Sequence, residues 1–226
     1  NKDSKIRTPR LDQLAREGAR FTDAHAPTSV CSPTRYAILT GRYSWRTRLQ
    51  RGVLGPWNPP LIAKDRLTVG KLLQQHGYAT ACVGQWGLGP VAKLGAPNDA
   101  GFDHFFGAVN LPHANNPYPE FLVRDGKVVP LKNEAAPEWK KFQDPRLPDG
   151  GKGVAAKRVD YAPDLLLADA LGFIRENKAR PFFLYLAFNA VHAPLQAPAD
   201  EIARFNTGNR DRDTLLAMGK RMDDAI

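Results

Sequence analysis

Twice along this chain a helical pattern is followed within a few residues by an apolar run, and that alternation limits the fold more than any other feature. In the first instance Thr68 stands where a helix cap belongs, Val69, Leu72 and Leu73 recur at helical spacing, Gly77 stops the pattern, and Tyr78 to Val83 reads as a strand. In the second, Pro163 opens a helix carrying Leu166, Leu167, Ala170, Leu171 and Ile174, and Phe182 to Phe188 is a continuous apolar run of the kind buried on both faces. An earlier helix runs from Thr8-Pro9, with Leu11, Leu14 and Ala15 on one side, to Gly18. Strands separated by helices predict an α/β fold, with a mostly parallel sheet flanked by helices. Ligands gather beyond the carboxyl ends of the strands in such sheets. That directs attention to Gly84–Gly89 and to Asn189–His192.

Composition narrows the class without naming a function. A chain of 226 residues with 42% hydrophobic side chains can bury a core as one domain or a large part of one. No stretch is long and apolar enough to predict a membrane span. The polar, charged start at Asn1 does not read as a signal peptide. Net charge is +9, but the basic residues are spread along the chain and no nucleic-acid motif is visible, so no nucleic-acid partner is expected. A basic surface fits sulfated or carboxylated substrates, polysaccharides above all, and equally fits plain solubility. From about 90 to 162 the pattern weakens into Pro, Gly, Asn and Lys, which predicts a loop-rich insertion with Asp144–Gly153 as its most linker-like piece. Within it His113, Asn115, Asn116, Tyr118 and, at its end, Tyr161 read either as lining a substrate pocket or as surface loop residues.

The most informative local run is Cys31-Ser-Pro-Thr-Arg-Tyr-Ala-Ile-Leu-Thr-Gly-Arg42. Ser32 suits an N-cap, Pro33 the first helical position, and Gly41 a left-handed stop. Cys31 then lies just ahead of free backbone N–H groups and the positive end of the helix dipole, with Arg35 supplying a fixed charge. Such a helix mouth attracts anions. The second cysteine, Cys82, sits inside an apolar run and reads as a core residue, and two cysteines make no disulfide framework.

The whole block resembles the signature of the sulfatase family, arylsulfatase-like enzymes of the alkaline phosphatase superfamily. Arg7–Gly18 resembles the segment preceding that signature, Tyr78–Gly84 the strand after it, and Arg180–Leu186 with His192–Gln196 the family's later strand and histidine loop. The resemblance implies that residues 1–226 form a partial catalytic domain, incomplete at both ends. It implies that a formylglycine-generating enzyme oxidises Cys31 to formylglycine. The hydrated aldehyde attacks the sulfur of a sulfate ester through one hydroxyl, and the second hydroxyl supplies the electrons that expel sulfate. Arg35 would stabilise that group, His192 would contact the sulfate, and Gln85 and Trp86 would bind substrate. The family expectation adds Ca2+, with formylglycine at position 31 as one ligand, although most of the metal ligands fall outside this chain. A periplasmic, secreted or lysosomal-type location is implied as well.

Two departures qualify the resemblance. Family members carry Gly-Lys-Trp-His-Leu-Gly where this chain has Gly84-Gln85-Trp86-Gly87-Leu88-Gly89, so both ionisable groups are replaced. Met222–Ile226 is similar to the helix before the second strand of metal ligands, and Asp223 and Asp224 read as helix-surface charges. The leading expectation is hydrolysis of sulfate esters on a small molecule or a polysaccharide. The alternatives are a phosphate or phosphonate monoester hydrolase of the same superfamily, a non-catalytic protein that binds sulfated glycans, and a fragment without independent function.

Overall fold

Backbone hydrogen bonding turns the two helix-to-strand passages into neighbouring parallel strands of one sheet. The computed structural model describes residues 6–90, 93–137 and 153–226. Their elements are helices α1 (Pro9–Glu17), α2 (Cys31–Thr40) and α3 (Val69–Gln75), strand β1 (Ala79–Gln85), the helical turn α4 (Ala96–Asp99), β2 (His104–Ala108), the turn α5 (Leu111–Ala114), β3 (Phe121–Arg124), β4 (Lys127–Pro130), the short ribbon β5 (Glu134–Ala135) and β6 (Ala155–Lys157), α6 (Ala162–Asn177), β7 (Phe182–Ala187), α7 (Ala199–Ile202) and α8 (Arg210–Asp224). The chain divides into two compact units, Asn1–His25 with Ala190–Ile226, and Ala26–Asn189. None of the helices among the described residues is long and apolar enough to cross a membrane.

In the unit Ala26–Asn189 the sheet order is β4-β3-β2-β1-β7. Strand β1 runs parallel to β2 and β7, while β2–β3 and β3–β4 are antiparallel, so the α/β sheet is mixed. All seven residues of β1 are buried. On one face Cys82, Phe105 and Val123 pack with Tyr36 and Leu39 of α2 and with Trp86 and Phe102; on the other Val83, Phe106 and Leu122 meet Ala162, Leu166 and Ala170 of α6. The strand read at Phe182–Phe188 is present as β7, but it is half-buried rather than enclosed on both faces. Its place at the sheet edge explains this. Phe183 and Tyr185 still touch one core and Leu184 and Leu186 the other, while one flank has no neighbouring strand among the described residues.

Local chemistry accounts for the element ends. Thr68 caps α3, its hydroxyl oxygen accepting the Lys71 N–H at 3.1 Å. Gly41 ends α2 in the left-handed region at φ 67°. The weakly patterned stretch 90–162 supplies β2, β3 and β4 of the main sheet; the linker-like piece lies outside the described residues up to position 152. The Asp125-Gly126 pair, both at positive φ, makes the tight turn between β3 and β4.

In the other unit the carboxylate of Asp223 accepts the Arg10 and Leu11 N–H groups at 3.0 Å each. Asp223 is therefore a buried cap on the first turn of α1, not the surface charge its sequence context suggests, because α8 packs against the N-terminus of α1 and needs an acceptor there. Asp224, paired with Lys220, is partly exposed, as expected of a helix surface.

One ion cluster joins α6 to the sheet. At the start of β2, His104 has Nε2 at 2.6 Å from Asp169 and Nδ1 at 3.3 Å from Asp125, and Arg124 pairs with Asp169 at 2.8 Å. Asp103, Glu176 and Arg180 line the same groove. The hydrogen bond to Asp169 raises the His104 pKa above its usual 6.5 against the opposing effect of burial. A raised folded-state pKa gives stability that is fully present below the unfolded value and lost as pH rises through the folded one. The urea midpoint is expected to fall as pH rises from below 6.5 through the raised folded-state value. In His104→Gln that pH dependence should flatten, and equal slopes in the two proteins would remove His104 as its source.

Candidate active site

The mouth of α2 lies two residues earlier than the sequence expectation. The cap position is Val30 in extended backbone, and Cys31 is the first helical residue. Ser32 does not cap the helix because its hydroxyl is committed elsewhere. Fully buried, it donates to the Gly87 carbonyl at 2.9 Å and accepts the Leu54 N–H at 3.1 Å. Thr34 closes the turn by donating to the Thr28 carbonyl at 2.9 Å. Cys31 is thus half-buried within the first turn, where N–H groups are free and the helix dipole is positive. It is not bonded to Cys82, and both thiols are free.

Arg35 lies one turn further along α2, on the side facing the carboxyl end of β1. Its Nη1 donates to the Gln85 carbonyl and its Nη2 to Gln85 Oε1, both at 2.7 Å, and Nη1 also reaches the Tyr185 hydroxyl at 3.4 Å. This fork joins α2, β1 and β7. Burial raises the pKa of Tyr185 and that of Cys82, and in each case the Arg35 charge opposes the rise. The arginine therefore acts as a fixed positive charge in a poorly solvated place. Arg35 Nε and Gln85 Nε2 are both buried without a hydrogen-bond partner. Orphaned buried donors call for an acceptor, and an anion oxygen meets that need.

The Arg35 fork carries a stability prediction. Gln85→Lys removes the acceptor of one 2.7 Å bond and sets an ammonium against a guanidinium, which is expected to cost about 2 kcal/mol. Added sulfate should recover part of that loss by binding the folded state. Thermal melts with and without sulfate measure both effects; an unchanged melting temperature would mean that Gln85 does not anchor Arg35.

The neighbouring positions are shaped by packing. Gly87 has φ +70°, and a Cβ there would fall 2.6 Å from Leu111 Cδ2, so this backbone is built around glycine. Trp86 is 2% exposed and meets Phe102 edge-on in the core, with only its margin on a cavity of about 700 Å³ bordered by Pro60, Ile62 and Lys93. His113, Asn116, Tyr118 and Tyr161, read as pocket or loop residues, are all buried. His113 takes a structural role. Its Nε2 bonds the Phe121 carbonyl at 2.7 Å, and burial lowers its pKa to about 4. Tyr185 was not anticipated as a site residue, since a tyrosine in an apolar strand has no motif around it.

His192 belongs to the other compact unit, where it is exposed and its Nδ1 lies 2.6 Å from the Ala193 carbonyl. Among the described residues no group of three or more His, Cys, Asp or Glu side chains gathers to hold a metal ion. A calcium ion takes roughly six to eight oxygen ligands, so the donor set present does not fit one by itself.

Comparison with known proteins places this arrangement in a wider group. A family model described as Sulfatase matches residues 1–226. Arylsulfatase A of Bos taurus is 37% identical over 205 residues, covering 83% of this chain and 37% of that protein. The N-acetylgalactosamine-6-O-sulfatase of Bacteroides thetaiotaomicron is 32% identical, covering 84% of this chain and 44% of that protein. The crystal structure of Ps i-CgsB in complex with k-i-k-neocarrahexaose superposes with a TM-score of 0.76 at 31% identity, over 99% of this chain and 49% of that one. The chain spans less than half the length of each of these proteins.

Proposed function

Since the chain belongs to the sulfatase family, we propose that it contributes the nucleophile-bearing part of a site that hydrolyses sulfate esters. The observation that carries this reading is the Arg35 guanidinium, held by two 2.7 Å bonds to Gln85 one helical turn from Cys31. Cys31, as formylglycine, supplies an oxygen nucleophile together with its own means of expelling sulfate. The chain's own groups do the rest. The free N–H groups of the first turn of α2 and the Arg35 charge favour negative charge developing on the sulfuryl oxygens. Gln85 keeps the guanidinium from swinging into solvent, and Ser32 ties the helix mouth to Gly87 so that Cys31 stays in register. In this reading Gln85 and Trp86 border the substrate. No step is assigned to a metal ion.

Sulfated glycans are the substrate class we favour, in line with the N-acetylgalactosamine-6-O-sulfatase and the neocarrahexaose complex among similar proteins. A location outside the cytoplasm goes with that class. Peptide mass spectrometry at position 31, from a host containing a formylglycine-generating enzyme, should detect the aldehyde. Matched aryl sulfate and aryl phosphate esters should show preference for sulfate. An unmodified thiol combined with absent turnover would overturn the catalytic reading, and a preference for phosphate would move the chain to the monoester hydrolases.

A second reading has its own observation. Gln85 and Gly87 stand where the family has lysine and histidine, and a side chain at position 87 would sit at the disfavoured φ of +70° and displace the Leu111 methyl. A protein that binds sulfated glycans without cleaving them would have this site. It is favoured if Cys31 is converted and sulfated glycans bind without release of sulfate.

A further inference from the structure

No acidic side chain occurs between Asp23 and Asp65, whereas Arg35, Arg42, Arg46, Arg48, Arg51 and Lys64 all fall in that interval. Arg35 is turned inward to Gln85. The next four arginines follow the C-terminal end of α2 and are exposed. There Tyr43 and Trp45 are 51% and 52% exposed, with rings stacked at a centroid distance of 5.4 Å and planes 16° apart. Between them Ser44 opens a short 3-10 turn (Ser44–Arg46) and is buried, while both rings stay exposed. Arg46 holds its guanidinium 5.7 Å from the centre of the Trp45 ring. Arg48 is anchored on the Pro59 and Pro60 carbonyls. Among the described residues Arg42, Arg46 and Arg51 form no ion pair with a carboxylate.

Two large aromatic rings held open to water beside unneutralised guanidinium groups are costly unless something covers them. The chemistry that fits is a sugar ring carrying sulfate. Its C–H faces pack on aromatic surfaces, and the planar guanidinium fork matches the sulfate oxygens. We propose that Tyr43, Trp45 and Arg46, flanked by Arg42 and Arg51, form a docking strip for a sulfated polysaccharide. The strip lies at the far end of α2 from Cys31, roughly 15 Å away for ten helical residues. It therefore holds other parts of the chain whose ester is presented at Cys31. The partner class rests on the sulfated-glycan part of the proposed function and does not require catalysis.

The test is titration calorimetry of a sulfated oligosaccharide, with its desulfated counterpart as control, against the parent protein, Trp45→Ala, Arg46→Gln and the remote Lys178→Gln. Thermal melts confirm that each variant is folded. Trp45→Ala and Arg46→Gln should each weaken binding about tenfold, Lys178→Gln should not, and the desulfated sugar should not bind. Turnover of a small aryl sulfate should be unaffected by the strip variants. Unchanged affinity in Trp45→Ala, or equal binding of single-stranded DNA, would overturn the proposal in favour of unspecific charge attraction. If no sulfate ester is turned over while oligosaccharide binding still depends on Trp45, the strip stands and the catalytic reading falls.

Discussion

Cys31→Ser is expected to lower turnover of sulfate esters by at least about 10³-fold while leaving the fold unchanged. Serine is nearly isosteric with cysteine, the residue is half-buried, and the mouth of α2 is held by the Ser32 and Thr34 hydroxyls, not by the thiol. What changes is the chemistry available to position 31. A serine hydroxyl can take up one sulfuryl group but has no second hydroxyl on the same carbon to expel it. The variant should therefore stall as a sulfated side chain, visible by peptide mass spectrometry after incubation with substrate. Turnover in the serine variant at the parent rate would remove residue 31 from the reaction.

A large loss of stability is expected at Gly84. It lies on β1 opposite Gly107 of β2 and Ala187 of β7, at φ +115°. A Cβ there would sit 2.1 Å from the Ala187 carbonyl oxygen, which is backbone and cannot step aside without breaking the β1–β7 ladder. Gly84→Ala combines a disfavoured dihedral with that clash, and about 4 kcal/mol or more should be lost. Equilibrium urea unfolding measures it. Because Gln85 is the next residue, sulfate protection in thermal melts should vanish with it. By contrast Gly172→Ala on α6, where a Cβ meets nothing within 4 Å, should be neutral or slightly stabilising. If both alanine variants melt like the parent protein, the sheet does not depend on that close approach.

Several elements could be read before any coordinates. Leucine spacing with Thr68 at one end and Gly77 at the other marked α3, and the run from Pro163 marked α6, because local capping and amphipathic periodicity are written within a single turn of sequence. Strands β2, β3 and β4 were not recognised. They are four or five residues long, two of them pair only with their antiparallel neighbours, and Gly107 interrupts the apolar run, so neither the period nor the length stood out. Asp125-Gly126 was the signal that marks the hairpin.

For the proposed site, Cys31, Arg35 and Gln85 could be named from the sequence because the signature keeps its order and spacing. Tyr185, and the cap that Asp223 makes on α1, were not. Each works through a partner about 150 to 213 residues away in sequence, and no local pattern carries such a pairing. Ser32 shows the same limit from the other side. Its sequence position suited an N-cap, but the carbonyl of Gly87 and the N–H of Leu54 took its hydroxyl instead.

What the sequence determined by itself was the two helix-to-strand passages, the positive bias at the entrance to α2, and the family to which the chain belongs. Helix caps, periodicity and motif spacing all act over a few residues, so they survive in the linear order. The tertiary structure alone decided which donors stay unsatisfied, which charges face one another and which aromatic rings remain open to solvent. Those outcomes depend on atoms that meet only after β1, β2 and β7 have paired and α2 has closed over their ends.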